Sequence, residues 1–253
     1  MFDLQGRTAL VTGAGSPRGI GKAIALALAD QGAKVFVGDI DSAGAERVAQ
    51  EIRDKGGEAQ AGEFDVTSAS DITRVLTAIQ KAWGKLDILV NNAGVTQPVK
   101  VLETSEADFD RIIGVNLKAT FFLSKAVLPG MIENGYGRIV NMSSVSAKRG
   151  GGVFGGAHYS AAKAGILAFS KALSREVAAQ RITINSVAPG LVATDIRGGL
   201  ESPEGQAELA AEIPCKRMGT PHEVAAAVCF LASEEAGYIT GEEIDINGGS
   251  HMD

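Results

Sequence analysis

Two hydrophobic rhythms take turns along this chain. Thr8–Val11 (TALV) is a short continuous apolar run, the pattern of a strand buried on both faces. After a glycine-rich gap, KAIALALA (22–29) returns apolar side chains every three or four positions, which is helix spacing. The alternation then repeats. Lys34–Ile40 reads as a strand, Ser42–Lys55 as a polar helix and GEAQAGEF (57–64) as a weak strand. Ile72, Val75, Leu76 and Ile79 mark a helix with Thr67 or Ser68 as its cap. Leu86–Val90 is a strand, about Ser105–Glu133 a long helix, and Arg138–Met142 a strand. A helix through Tyr159 runs to about Gln180, with Ile166, Leu167, Phe169, Leu173 and Val177 in helical spacing. Ile182–Val187 is the sixth strand, Pro221–Ala232 a helix, and the last strand lies near Glu243–Ile246. Strands separated by helices pair in parallel, so the pattern predicts an α/β fold. The expectation is one doubly wound domain over 1–253. Leu191–Arg217 keeps neither rhythm and carries Gly, Pro and mixed charge, as a substrate lid at about 191–217 would.

Composition narrows the partners. The 253 residues are 45% hydrophobic and 21% charged with a net charge of −6, which argues against nucleic acid or an anionic membrane. No apolar run reaches the roughly 18 residues of a membrane span, and the amino terminus lacks a signal-peptide core, so a cytoplasmic protein is expected. Cys215 and Cys229 have no metal or redox spacing, and His158, His222 and His251 are scattered; two reduced thiols and no metal site are expected.

The first candidate for chemistry is TGAGSPRGIG, Thr12–Gly21, between the first strand and the first helix. Glycines in that context turn the chain tightly and let backbone N–H groups approach a pyrophosphate on the helix N-terminus. Asp39 closes the second strand 18 residues past Gly21, near the distance at which a carboxylate meets an adenosine ribose. A carboxylate accepts hydrogen bonds from both ribose hydroxyls and repels a 2'-phosphate, which predicts NAD(H) over NADP(H). Arg18 is the counter-signal, as a cation able to neutralise that phosphate.

The second candidate is Tyr159 and Lys163, four apart and so on one helix face. An ammonium beside a phenol favours phenolate and tunes tyrosine toward proton transfer. Asn91–Gly94 and Ala188–Gly190 each lie at a strand's carboxyl end, where open parallel sheets bind ligands. Asn116 is an amide inside an apolar helical segment and needs a partner, either structural or within a polar relay.

In this order, Thr12–Gly21, Asn91–Gly94, Asn116, Ser144, Tyr159, Lys163 and Pro189–Thr194 resemble the short-chain dehydrogenase/reductase superfamily over essentially the whole chain. The resemblance implies a Rossmann-type fold with a seven-stranded parallel sheet, a homotetramer, and hydride transfer between a nicotinamide and a carbonyl or alcohol carbon. It implies Tyr159 as general acid/base, Ser144 as orienter of the substrate oxygen, and Asn116 as holder of a relay water. Lys163 is then the residue that lowers the Tyr159 pKa and holds the nicotinamide ribose. By the same resemblance Gly13, Arg18, Gly19, Ile20 and Gly21 meet the phosphates, and Asp39, Asp65, Val66 and Asn92 the adenosine. Pro189, Gly190, Val192 and Thr194 hold the carboxamide side.

Two departures from the family pattern stand out. Five residues rather than three separate Gly13 from Gly19, which should bulge the loop. Ser144 and Tyr159 are 15 apart, about two more than the pattern expects, with the extra length in the glycine-rich KRGGGVFGG (148–156). The favoured reading is an NAD(H)-dependent dehydrogenase of a secondary alcohol, polyol or small hydroxy compound. The alternative is a 3-oxoacyl-thioester reductase, since SREVAA and RMGTPHEVA look like the 3-oxoacyl-carrier-protein reductases. That resemblance implies NADPH and a basic surface for an acidic carrier; here ENGYG precedes Arg138, and Arg181 supplies one cation. A protein that binds nucleotide without turnover is a third reading, opposed by the presence of both Tyr159 and Lys163.

Overall fold

In a computed structural model describing residues 2–151, 155–194 and 203–252, seven strands form one all-parallel sheet in the order β3-β2-β1-β4-β5-β6-β7. They are β1 (Thr8–Thr12), β2 (Lys34–Asp39), β3 (Ala59–Glu63), β4 (Ile88–Asn91), β5 (Gly137–Met142), β6 (Ile182–Pro189) and β7 (Glu243–Ile246). The order reverses between β1 and β4, which opens a crevice at their carboxyl ends. Leu10 and Leu89 pack on one face of the sheet, and Ala9, Val11, Ile88 and Val90 on the other, as the two-residue strand period requires. Burial on both faces explains why these strands read as continuous apolar runs.

One layer holds α1 (Ile20–Asp30), α2 (Ser42–Asp54) and α9 (Pro221–Ala232), which bury Ile24, Leu28, Val48, Ile52, Val224 and Val228. The other holds α3 (Ala69–Trp83), α5 (Ala119–Asn134) and α7 (Ala157–Val177), which bury Val75, Ile79, Leu123, Val127 and Leu173. Ser68 caps α3 by accepting from the Asp71 N–H, and Thr220 and Glu223 form a reciprocal capping box on α9.

Three features depart from the sequence expectations. The long helix is continuous over Glu106–Asn134 but tightens and loosens within it: α4 (Glu106–Ile113), a π-helical turn (Gly114–Lys118), then α5. It reaches the length and mean hydropathy (1.3) of a membrane span, contrary to the expectation, by length and composition alone. Ala119, Leu123, Val127 and Met131 pack inward, and Phe121, Phe122 and Ile132 face outward. A short helix, α6 (Ser146–Arg149), fills part of the lengthened stretch between Ser144 and Tyr159, of which 152–154 lie outside the described residues. The segment expected as a lid contains α8 (Pro203–Ala211), and its ends are zipped where Val192 bridges Gly219; residues 195–202 lie outside the described residues.

At the amino ends of the strands the polar groups are closely paired. Asp87, 1% exposed, accepts from the Thr8 N–H at 2.9 Å and pairs with Lys85 at 3.1 Å and Arg7 at 3.6 Å. Tyr136 carries the Arg7 guanidinium 3.5 Å and the Arg138 guanidinium 4.4 Å from its ring centroid, and Glu234 pairs with both arginines. Both cysteines are free thiols, with Cys215 exposed and Cys229 buried, where burial pushes its pKa up to about 12.

Candidate active site

A cavity of about 930 Å³ opens over the carboxyl ends of the strands. Gly13, Gly19, Ile20, Asp39, Asp65, Val66 and Asn92 line one end of the set. Asn116, Ser144, Tyr159 and Lys163 line its middle, and Pro189, Gly190, Val192 and Thr194 contribute the β6 side. Arg18 does not line it. The extra residues of the glycine loop make a tight turn, with the Gly19 N–H bonded to the Ser16 carbonyl at 3.1 Å, which leaves Pro17 and Arg18 exposed. The expected bulge is therefore a self-contained turn directed outward. Gly21 acts through what it lacks: a Cβ there would lie 2.4 Å from the Gly13 carbonyl oxygen, so the helix start packs on the loop only as glycine. Gly13 itself holds φ at +64°, a left-handed conformation that favours glycine.

This loop fits a dinucleotide. Gly19 caps α1 without any side-chain hydrogen bond and the first turn has no acid, so its N–H groups face the cavity unopposed by negative charge. Asp39 is held by the Gly15 N–H at 2.7 Å on one oxygen and the Asp41 N–H at 2.9 Å on the other. That fixes a carboxylate on the wall of the adenosine end. Asn92 lines the cavity and is also a brace: its Nδ2 donates to the Thr12 and Gly13 carbonyls at 2.8 and 2.9 Å. Thr12 completes the brace by accepting from the Asn92 and Ala93 N–H groups at 3.1 and 3.0 Å.

The chemical end is built on β5 and α7. Lys163, 4% exposed, donates from Nζ to the Met142 carbonyl at 2.8 Å, and Ser143 donates back to the Lys163 carbonyl at 3.0 Å. This reciprocal clasp locks α7 to the end of β5. The Ser144 side chain lies near enough to Tyr159 to oppose the rise in its pKa, and it accepts from the Ser146 N–H at 3.1 Å. Lys163 Nζ lies 5.7 Å from the Tyr159 ring centroid. Burial pushes the Tyr159 pKa up, with the Ser144 side chain opposing it, and burial pushes Lys163 down to about 7. The sequence expectation is that Lys163 lowers the Tyr159 pKa; in this arrangement burial dominates at both groups, and the opposing influence on Tyr159 comes from Ser144.

Asn116 sits in the π-helical turn, fully buried. Its Nδ2 donates to the Val95 and Ile112 carbonyls, each at 2.9 Å, while Oδ1 is buried without a partner. The widened turn is where a helix makes room for such a side chain. A single point above Gly94 lies 2.7 Å from Asn116 Oδ1 and 3.4 Å from Lys163 Nζ, so both polar atoms face one space. An orphaned buried acceptor beside an underused ammonium is the kind of exception that functional sites keep.

Sequence reasoning missed two parts of this region. Asn91 donates to Asn141 Oδ1 at 2.8 Å and Ser124 at 3.0 Å, and Asn141 donates to Ser170 at 2.9 Å. This buried ladder pins α5 and α7 to β4 and β5. Its signal was present as polar residues inside otherwise apolar strands. On the substrate side of the cavity, Arg149 and Gly150 come from the lengthened glycine-rich stretch and Leu209, Glu212 and Ile213 from the segment expected as a lid; Ser250, the second part missed, had no signal because it is distant in sequence from the rest.

Comparison with known proteins agrees with this geometry. Residues 13–251 match a family model described as enoyl-(acyl carrier protein) reductase. The chain is 45% identical over 247 residues to an uncharacterized short-chain type dehydrogenase/reductase of Sinorhizobium fredii, covering 97% of this chain and 98% of that one. It is also 45% identical over 251 residues to a 3-oxoacyl-(acyl-carrier-protein) reductase of Vibrio cholerae, covering 99% and 100%. A crystal structure from Agrobacterium tumefaciens, provisionally titled a gluconate dehydrogenase, superposes with a TM-score of 0.92 at 37% identity, covering 98% of this chain and 97% of the other.

Proposed function

The chain belongs to the short-chain dehydrogenase/reductase family of nicotinamide-dependent oxidoreductases, and we propose that within it the protein is an NAD(H)-dependent dehydrogenase of a secondary alcohol, polyol or small hydroxy compound. The observation that carries this reading is Asp39, a carboxylate fixed by two backbone N–H groups on the adenosine wall of the cavity. A 2'-phosphate brought against it meets like charge at short range. The counter-signal, Arg18, is exposed and does not line the cavity.

The nicotinamide, when bound, gives or takes the hydride. Every other task falls to the chain. In the reducing direction Tyr159 donates its hydroxyl proton to the carbonyl oxygen as that oxygen gains charge, and Ser144 donates a second hydrogen bond to it. In the oxidising direction Tyr159 receives the same proton. The raised phenol pKa favours the protonated form that reduction starts from. Lys163, with a pKa lowered to about 7, gives and takes a proton near neutrality, and Asn116 Oδ1 orients the relay between it and solvent. Water exclusion belongs to the residues around Leu209–Pro214.

The second reading, a 3-oxoacyl-thioester reductase, is favoured by the identity to the Vibrio cholerae enzyme. Against it, Arg138 is buried at 3% exposure and committed to internal partners, so it offers no charge to an acidic carrier. The homotetramer implied by the family resemblance has its support in the outward face of α5, where Phe121 and Phe122 stack edge-on and Phe121 meets Phe169. Steady-state kinetics with NADH and NADPH over ketones, sugars and a 3-oxoacyl thioester tests the reading. A higher kcat/KM with NADH on a small ketone supports it; a higher value with NADPH on the thioester replaces it with the second.

A further inference from the structure

The wall beside the catalytic tyrosine carries a cation that the reaction itself does not use. Arg149 ends α6, five residues after Ser144, and lines the cavity. Among the described residues its guanidinium has no hydrogen bond, ion pair or ring contact. Its neighbour behaves in the opposite way. Lys148 turns to β7, pairing with Asp245 at 3.0 Å and Glu243 at 3.5 Å. Asp245 and Glu243 are thereby paired with Lys148, and the same pairing anchors α6 against the sheet. Arg149 is held on a fixed base, next to a stretch in which Gly150 and Gly151 have φ of +72° and +58° and open space around them. The Gly151 N–H is tied to the Ser160 hydroxyl at 2.9 Å, which holds the start of that stretch beside the Tyr159 helix.

We propose that Arg149 is the anion anchor of the substrate half of the site, and that the compound turned over carries a carboxylate, or an oxyanion group of like geometry, a few bonds from the carbon that exchanges hydride. This rests on the dehydrogenase reading above. A guanidinium offers paired N–H donors in a fork that matches a carboxylate, and it stays charged at any working pH. Ser144 immediately precedes the single turn of α6 that ends on Arg149, and both line the cavity, so the reacting oxygen and the anion are bound on neighbouring parts of one wall. That proximity suits a small hydroxy acid. The remaining charged residues lining the cavity are Asp39 and Asp65 at the nucleotide end, the buried Lys163, and Glu212 beyond α8. The acidic ones repel an anion, so Arg149 is the place where it is tolerated.

The test compares four-carbon hydroxy acids with the corresponding diols under NAD-saturating conditions, in the natural protein and in Arg149→Gln, Arg149→Lys and Glu212→Gln. The natural protein is expected to favour the acid, and Arg149→Gln to lower kcat/KM for the acid by about 10- to 100-fold, mainly through KM, with a far smaller effect on the diol. Arg149→Lys should recover part of the loss, and Glu212→Gln should leave the acid preference in place. A natural protein that prefers the diol overturns the proposal. So does an equal loss on acid and diol in Arg149→Gln, which marks a packing role or a latch with Glu212. If no alcohol turns over with either cofactor, the dehydrogenase reading fails instead. Titration of butyrate into the NAD-loaded protein then decides the anchor: binding lost in Arg149→Gln upholds it, and no binding or equal binding ends it.

Discussion

The two edges of the sheet treat buried polar groups in opposite ways. At the amino ends, Asp87 has a backbone N–H and two cations, and Arg138 donates to the Ser233, Gly137 and Arg181 carbonyls while pairing with Glu234. At the carboxyl ends, the buried Lys163 has one carbonyl partner for its ammonium and the buried Asn116 Oδ1 has none. The same chain, with the same supply of charged side chains, pairs its buried charges at one edge, with the uncharged Gln180 Oε1 and Thr183 Oγ1 left without a partner there, and leaves a buried ammonium short at the other. A saturated buried network stabilises and orients; an unsaturated one costs stability and keeps donors and acceptors ready for something else. The difference separates scaffold from site without reference to any relative.

If that contrast is real, substitutions at the two edges should fail in different currencies. The largest effect is expected from Tyr159→Phe, which removes the acid/base at the unsaturated edge. We expect kcat to fall by about 10²- to 10⁴-fold while NADH binding, followed by fluorescence, stays close to that of the natural protein. Retained kcat would remove Tyr159 from the reaction. Next, Asp87→Ala at the paired edge removes the buried acceptor of the Thr8 N–H and the partner of Lys85, while Arg7 keeps Glu234. It should cost about 3–5 kcal/mol of unfolding free energy in a denaturant titration, with kcat of the surviving folded protein little changed. A loss of activity without a loss of stability would reverse the assignment of the two edges.

The smallest and sharpest effect concerns Lys163. Its pKa is lowered by burial from 10.5 to about 7 in the folded protein. Between those values the unfolded chain binds a proton that the folded one does not, so this group's contribution to stability rises with pH across that interval. Below pH 7 the full cost of burying the charge is present. Lys163→Met should therefore gain most over the natural protein at pH 6–7, and the gain should shrink as pH approaches 10. Melting temperatures measured for both proteins over that range check it; parallel curves would mean that Lys163 pays no desolvation cost.

Much of the fold was legible in the pattern of apolar residues. Pro221–Ala232 and Glu243–Ile246 match the structure residue for residue, and the other strands differ by a residue or two at their ends. A parallel sheet buried on both faces writes its strands as solid apolar runs, and only helices can connect them, so periodicity alone suffices. The reacting groups were legible for a related reason. Tyr159 and Lys163 share a helix face by spacing, and Asp39 and the glycine loop sit at strand ends that the sheet order brings together.

What sequence alone determined, then, is the order of elements and the identity of the groups at the strand ends, because both follow from local periodicity. Only the tertiary structure decided how those groups are charged and partnered. It gave Asn92 a bracing role beside its place on the cavity wall, left Arg18 exposed on the turn of the glycine loop, and pushed the Tyr159 pKa up where the Tyr–Lys spacing predicted down. It also set Arg149 beside Lys148 with opposite fates, since Asp245 and Glu243 come from nearly a hundred residues away. Spacing can say which side chains share a face. Desolvation and pairing depend on every element packed around them, and that is set when the sheet closes.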